Sequence, residues 1–414
     1  MPSIPQRIRT ESSEVRITAS GHIPVLDGLR GVAILMVLIG HFYRKSFISE
    51  AYPGTVTNIV GRIVAMNGYG VELFFVLSGF LITGILLDTR QEEGFFRKFY
   101  MRRILRIFPL YYGALAVVLF ILPHFVEFDE GARRIAAHQV WLWTYMVNYP
   151  AAGWIWDDSQ LFYLGHFWSL AVEEHFYLIW PAVVALVSRR GLYAVCASLI
   201  GVGIACRLLL ALQGADAPTF FQWTTLQKLD GLVAGALLAA VLRDASLTSL
   251  LPTGRAFRWM FGSAGFALLI YVWMPRTWHI PALSVFTELL VAFFFGLLLL
   301  QALRLQHHQA LHRIFTTRLL VMFGKYSYGI YVIHGILRPC FERVFDPTGY
   351  SQRFGLPFFY QFVYWLLTIA ISFVLAYVSY QFFEKRFLAF KSHFEYSRRT
   401  PHPSARIPDV QVTP

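Results

Sequence analysis

Apolar residues along this chain fall in long blocks, with neither the two-residue alternation of a half-wet strand nor the half-apolar stripe of a surface helix. After a polar opening, near-continuous apolar runs cover residues 24–43, 69–88, 104–123, 168–187, 192–212, 224–242, 258–274, 281–303, 319–338 and 358–383. A hydrocarbon core takes about 20 helical residues to cross, and each run meets or approaches that length. Backbone N–H and C=O groups in lipid must be satisfied within their own segment, so runs of this kind fold as helices. The pattern predicts an all-α, polytopic membrane protein with about ten transmembrane helices. A polar cytoplasmic segment over residues 1–22, a transmembrane domain over 23–387 and an irregular cytoplasmic tail over 388–414 complete the expected organisation.

The stretch 135–149, IAAHQVWLWTYMVNY, is shorter, aromatic and interrupted by His138 and Gln139. Loop charge decides whether it crosses, because cationic loops stay on the cytoplasmic side. The connector from Arg90 to Arg106 carries Arg97, Lys98, Arg102 and Arg103, and Arg189–Arg190, the stretch from Arg304 to Arg318 and the chain after Lys385 are also basic. Ten crossings put all four on one side only if 135–149 does not cross. It is therefore expected as one short interfacial or re-entrant helix. Both termini then lie in the cytoplasm, with Asp157 and Asp158 outside.

Composition points the same way, with 56% of the 414 residues hydrophobic and 14% charged. Soluble domains carry about 25% charged residues. The formal charge of +12 is spread over the connectors and forms no single stripe, which argues against nucleic acid as a partner. Cys196, Cys206 and Cys340 lack metal or redox spacing, and no metal is expected. The first twenty residues hold acids as well as arginines and have no apolar centre, so the first span is expected to serve as the insertion signal.

Against this apolar background, ionisable side chains inside the runs are candidates for function, since each costs a few kcal/mol to insert. The first run holds Asp27, Arg30 and His41. Arg30 and His41 are eleven positions apart, which on a helix is three turns plus about 20°, so they share a face roughly 16 Å apart. This resembles an anion clamp near one membrane face with a proton-transfer group deeper in. Glu173 and Glu174, in the fourth run, and His334, in the ninth, fall at a depth comparable with His41. Duller readings stand beside these: a structural ion pair for the glutamates, interfacial packing for His334, and topology alone for Arg102, Arg103 and Arg106.

The motifs carrying these residues resemble those of the acyltransferase-3 family of membrane O-acyltransferases. Leu26-Asp27-Gly28-Leu29-Arg30-Gly31, ending in Gly40-His41-Phe42, is similar to that family's first-span signature of an arginine, ten residues and a histidine. GVELFFVLSGFLI from Gly70 to Ile82, the stretch from Arg102 through Arg106 and Pro109 to Tyr112, and the one from Phe167 through Trp168 and Ser169 to Pro181 resemble its next blocks. Lys228-Leu229-Asp230-Gly231 and Tyr326-Ser327-Tyr328 to His334 resemble later ones, in order, over roughly residues 24–385. The resemblance implies transfer of an acyl group, commonly acetyl, from acetyl-CoA or another acyl-CoA to a hydroxyl of a carbohydrate, a lipid-linked glycan or another exported molecule. It implies a catalytic role for His41 and donor engagement by Arg30, in a protein set among membrane lipids, here expected in a bacterial inner membrane. Lys228 departs from the arginine common at its position, which removes a bidentate contact there. No esterase-like domain follows the last run, so the chain is expected to act alone or with a separate partner protein.

The expected chemistry suits these residues. Coenzyme A brings several phosphates, which Arg30, Arg102, Arg103 and Arg106 would meet at the cytoplasmic end. Histidine titrates near neutrality and suits removal of a hydroxyl proton, so His41 is expected as general base or as acyl carrier. Glu174 or Glu173 would orient its imidazole or bind acceptor hydroxyls, with His334 as the further catalytic candidate. The rival class is a membrane transporter of a polar or anionic solute, which would use the same charges as a pathway. Transporters are often built from two related halves, and no such repeat is visible here.

Overall fold

The computed structural model describes residues 23–43, 55–66, 68–125, 127, 130–149, 164–213, 224–274, 285–306, 309–345 and 356–396. The expected polar segment over 1–22, the aspartates Asp157 and Asp158 and the chain after residue 396 lie outside them. Among the described residues every regular element is helical. In chain order the helices are α1 (Pro24–His41), α2 (Thr55–Ala65), outside the predicted runs, α3 (Gly68–Thr89) and α4 (Phe95–Ala116), then the short α5 (Glu130–Ala137) and α6 (Val140–Trp143). There follow α7 (Phe167–Leu186), α8 (Arg189–Gln213), α9 (Asp230–Val241), α10 (Gly254–Trp273), α11 (Thr287–Arg304), α12 (Ala310–Phe315), α13 (Arg318–Val344) and α14 (Pro357–Ser379).

Eight of the predicted runs correspond to helices long and apolar enough to cross a membrane, namely those of α1, α3, α4, α7, α8, α10, α11 and α14. The other two differ. The run over 224–242 does not continue as one helix: a 3-10 turn at Thr225–Gln227 precedes α9, which has 12 residues. Polar Lys228 and Asp230 sit at that junction and are held by ion pairs from other helices. Helix α13 is 27 residues long, but Arg318, Lys325, His334 and Arg338 lower its apolarity. The segment over 135–149 forms only α5, α6 and a turn at Tyr145, whose φ is 58°, and neither helix reaches spanning length. It is pinned to α4, where Tyr111 Oη donates to the Leu142 carbonyl at 2.7 Å.

In lipid the helices gain little from hydrophobic exclusion of one another, and close packing through small residues takes over. The most extensive helix contacts are those of α3 with α9 and of α1 with α13. At the first, a Cβ on Gly79 would strike the Leu232 carbonyl, and one on Gly235 the Val76 carbonyl. At the second, Gly31 faces the carbonyl of Leu320 and Gly324 that of Asp27, while Gly28 faces the carbonyl of Phe315 in α12. Helix α14 closes the end of α1: Trp365 Nε1 donates to the Ile39 carbonyl at 2.8 Å and Gln361 Nε2 to the Phe42 carbonyl at 3.1 Å. These are among the last carbonyls of α1, left without partners inside their own helix. Beyond α14 the chain does not become irregular at residue 388: Phe390–Phe394 is a 3-10 helix, and Arg97 and Arg102 of α4 hold its Phe394.

The crossings make a stability prediction. Gly235→Ala drives a methyl group into the Val76 carbonyl and should cost about 1–3 kcal/mol, as overpacking does. Gly201→Ala on α8, with nothing within 4 Å of the new Cβ, should leave stability unchanged or slightly raised. Melting of both variants in detergent checks this, and equal melting temperatures would show that the α3–α9 crossing tolerates a side chain.

Candidate active site

His41 is the last residue of α1, and the α1–α13 crossing brings it to His334 in the middle of α13. Their Nδ1 and Nε2 atoms are 2.7 Å apart, with the ring planes within 16° of parallel and 5.0 Å between centroids, so the rings meet edge to edge. His334 is fully buried, and its Nδ1 lies 2.6 Å from the Tyr331 carbonyl and 3.2 Å from that of Ile330. His166, just before α7, extends the row, its ring 4.7 Å from that of His334. That ring occupies the space a Cβ on Gly335 would need. Phe42 covers His334 edge-on at 6.1 Å.

A second polar group lines a cavity of about 90 Å³. Arg30 enters it from α1, Arg103 and Arg106 from α4, Glu173 and Glu174 from α7, Ser78 from α3, and Tyr328 and Tyr331 from α13. Glu173 accepts from Ser78 Oγ at 2.8 Å and from Tyr177 Oη at 3.2 Å. The Arg103 guanidinium lies 5.6 Å from the Tyr177 ring centre, and Arg30 pairs with Asp27 at 3.2 Å. A neighbouring cavity of about 220 Å³ shares Arg30, Ser78, Arg103, Arg106 and Tyr177 and runs along α3 to the Asp88–Arg243 ion pair. Three guanidinium groups, each able to donate to two oxygens of one anion, thus share a space with the carboxyl groups of Glu173 and Glu174.

The structure thus sorts the candidates into two groups. Arg30, Arg103, Arg106, Glu173 and Glu174 share the cavity, while His41 and His334 pair with each other. His41 Nδ1 meets an imidazole, and Glu173, which with Glu174 was expected to orient that ring or to bind acceptor hydroxyls, is turned toward Ser78 of α3. Arg102 is in neither group. It points about 100° from Arg103 around α4, donates to the Phe394 carbonyl at 3.3 Å and lies over the Tyr396 ring. Tyr331 touches both: it lines the cavity, packs against the rings of His166 and His334, and lies 2.5 Å from Ser169 Oγ. His166, just outside the apolar run that carries Glu173 and Glu174, was not among the residues singled out from the sequence. It stands outside any helix face shared with His41, so periodicity had no means of finding it.

A further set of polar side chains surrounds the start of α9. Arg207 of α8 makes a two-point contact with Asp230 at 2.6 and 3.1 Å and donates to the carbonyls of Val285 and Gln227. Lys228 reaches Glu288 of α11 at 2.5 Å and lies over Trp168. Among the described residues no group of His, Cys, Asp and Glu is arranged to hold a metal ion.

Comparison with known proteins gives the geometry a context. A family model described as an acyltransferase domain matches residues 23–377. Peptidoglycan O-acetyltransferase OatA of Listeria monocytogenes is 27% identical over 380 residues, which cover 88% of this chain and 55% of that protein. Putative peptidoglycan O-acetyltransferase YrhL of Bacillus subtilis is 28% identical, with 88% of this chain and 54% of that protein covered. Putative O-acetyltransferase SACOL0978 of Staphylococcus aureus is 25% identical over 390 residues, with 88% and 57% covered. The chain spans about half the length of the curated relatives it matches. No solved structure matches it.

The ion pair at the start of α9 yields a prediction. Asp230→Asn leaves the Arg207 charge buried with half its partner gone, and should cost about 3–5 kcal/mol. Arg134→Ala breaks an exposed pair with Glu130 at 3.6 Å and should cost under about 1 kcal/mol. Thermal melting of the two variants separates these, and a stable Asp230→Asn protein would mean the pair is solvated.

Proposed function

The chain belongs to the acyltransferase-3 family, and on that premise we propose that it is a membrane O-acetyltransferase that moves an acetyl group from a cytoplasmic acyl-CoA to a hydroxyl of a cell-envelope carbohydrate. The observation that carries this is the single helix α1, which presents Arg30 to a three-arginine cavity and His41 to the histidine row. The relatives' names indicate peptidoglycan as the acceptor class for them, and the same class of polymer is proposed here.

Arg30, Arg103 and Arg106 hold the donor's phosphates, each guanidinium matching two phosphate oxygens. His41 takes the acceptor's hydroxyl proton on Nε2 as the hydroxyl oxygen bonds the thioester carbon. The carbon–sulfur bond then breaks, and the leaving thiolate recovers the proton from His41. Nδ1 of His41, occupied by His334, takes no part in the transfer. Glu173 and Glu174, beside the arginines, balance their charge and accept hydrogen bonds from an incoming hydroxyl.

The protein is an integral membrane protein with many apolar helices. Its proposed orientation places both termini and the α3–α4 connector in the cytoplasm, motivated by the cations between Arg90 and Arg106. In a cysteine-free background, Glu93→Cys should escape an impermeant thiol reagent in intact cells and His124→Cys should react. The reverse pattern would invert the orientation and move the donor site to the other face.

Labelled acetyl-CoA supplied to the purified protein tests the reaction. Transfer or donor hydrolysis is expected, and His41→Gln should lower it by about 100-fold or more while still binding the donor, since an amide is no base near neutral pH. Arg103→Ala should weaken donor binding by about 10-fold or more, the loss of a charge-assisted hydrogen bond. Arg102→Ala, turned to Phe394, should change it little. An inert parent protein whose vesicles take up a solute would replace this reading with transport.

A further inference from the structure

We infer that His334 is a positioning residue, an imidazole in the place a carboxylate often takes, which locks His41 in the tautomer whose Nε2 is basic. The inference rests on the acyl-transfer reading above for its consequence in catalysis, but the proton placement follows from the geometry of the pair.

A neutral imidazole carries one N–H and one lone pair, so assigning either nitrogen assigns the other. His334 Nδ1 faces two backbone carbonyls, of Tyr331 at 2.6 Å and Ile330 at 3.2 Å, one turn back along its own helix. A carbonyl oxygen only accepts, so Nδ1 carries the hydrogen and Nε2 the lone pair. That lone pair lies 2.7 Å from His41 Nδ1. His41 Nδ1 must therefore donate, and the free lone pair of His41 falls on Nε2. With both rings neutral, no other assignment makes all these bonds.

The surroundings keep His334 from turning away. The His166 ring lies against it at 4.7 Å, tilted by 59°, Phe42 meets it edge-on, and Tyr331 packs at 5.5 Å. The His166 ring itself rests in the gap left by Gly335 and reaches the Val332 carbonyl at 3.3 Å. During transfer the hydroxyl proton moves to His41 Nε2, and the Nδ1–H bond to His334 becomes charge-assisted and stronger. His334 gains and loses no proton. It steers the base and steadies the imidazolium, as the aspartate of a serine-hydrolase triad does. In lipid a neutral ring can fill that role without the cost of a second buried ion.

The test uses the full-length protein labelled with nitrogen-15 histidine. His41 is assigned by the signals lost in His41→Gln, and the nitrogen spectrum reports which atom carries the hydrogen whether or not the protein turns over. In the parent, His41 should show a protonated Nδ1 and an unprotonated Nε2. In His334→Asn, whose amide ends at the level of Nδ1, the two tautomers should mix. His334→Gln places its carboxamide oxygen near the old Nε2 and should restore the parent pattern. In the acetyl-transfer assay, kcat should fall by about 100-fold in His334→Asn and stay within about tenfold in His334→Gln, with KM for acetyl-CoA steady in both. A parent spectrum with the hydrogen on His41 Nε2, or equal tautomers in the parent and His334→Asn, would overturn the inference. A parent that transfers no acetyl group but shows the expected spectrum would overturn the proposed reaction alone.

Discussion

Helices α1 and α13 approach until backbone touches backbone, and the candidate site exists because of that approach. The Leu320 carbonyl stands where a side chain on Gly31 would begin, and the Asp27 carbonyl where one on Gly324 would. With no hydrophobic gain between helices in lipid, such contact is stabilised by dispersion and by the fit of small residues. Sliding either helix by a turn of about 5.4 Å would separate His41 from His334. Gln361 and Trp365 of α14 hold the end of α1 through its last carbonyls, so the histidine pair is fixed along two directions.

The second close crossing, of α3 with α9, does comparable work for charge. It seats α9 where Arg207 and Asp230 meet and where Lys228 reaches Glu288. The buried Arg207 and Asp230 could not be sheltered this way without each other, because either charge alone would cost several kcal/mol. They also explain why α9 is short: its entry is an ion-paired junction, and the regular helix begins only at Asp230. Between these crossings lies the arginine cavity, with Tyr331 and Ser169 as the side chains shared with the histidine row. The three arginines and the histidine row are thus set apart by the Tyr331 ring.

The matched family region, residues 23–377, begins one residue before α1 and ends two residues short of the end of α14. Both crossings and both polar groups of this chain lie within that region. The 3-10 helix Phe390–Phe394 lies past that region yet packs on α4 and takes Arg102 out of the cavity. Two adjacent arginines on one helix consequently have different surroundings, which makes Arg102 and Arg103 a natural contrast pair.

The all-helical membrane character was legible in the length of the apolar runs, because lipid leaves a spanning backbone no other way to satisfy its hydrogen bonds. The shared face of Arg30 and His41 was legible too, since 3.6 residues per turn fixes positions within one helix. Arg103 and Arg106, three apart, could have been separated from Arg102 by the same rule. The short α9 was not legible, because apolar residues continue on both sides of its polar entry. Nor were the meeting of His41 with His334, 293 positions away, the arrival of His166 beside them, or the turning of Glu173 toward Ser78. A helix whose apolar residues surround its axis without a preferred side, as in α3, gives little sign of which face meets which neighbour. Local periodicity settled what each helix presents, and only the glycine crossings and ion pairs of the folded bundle settled how the helices rotate to bring those faces together.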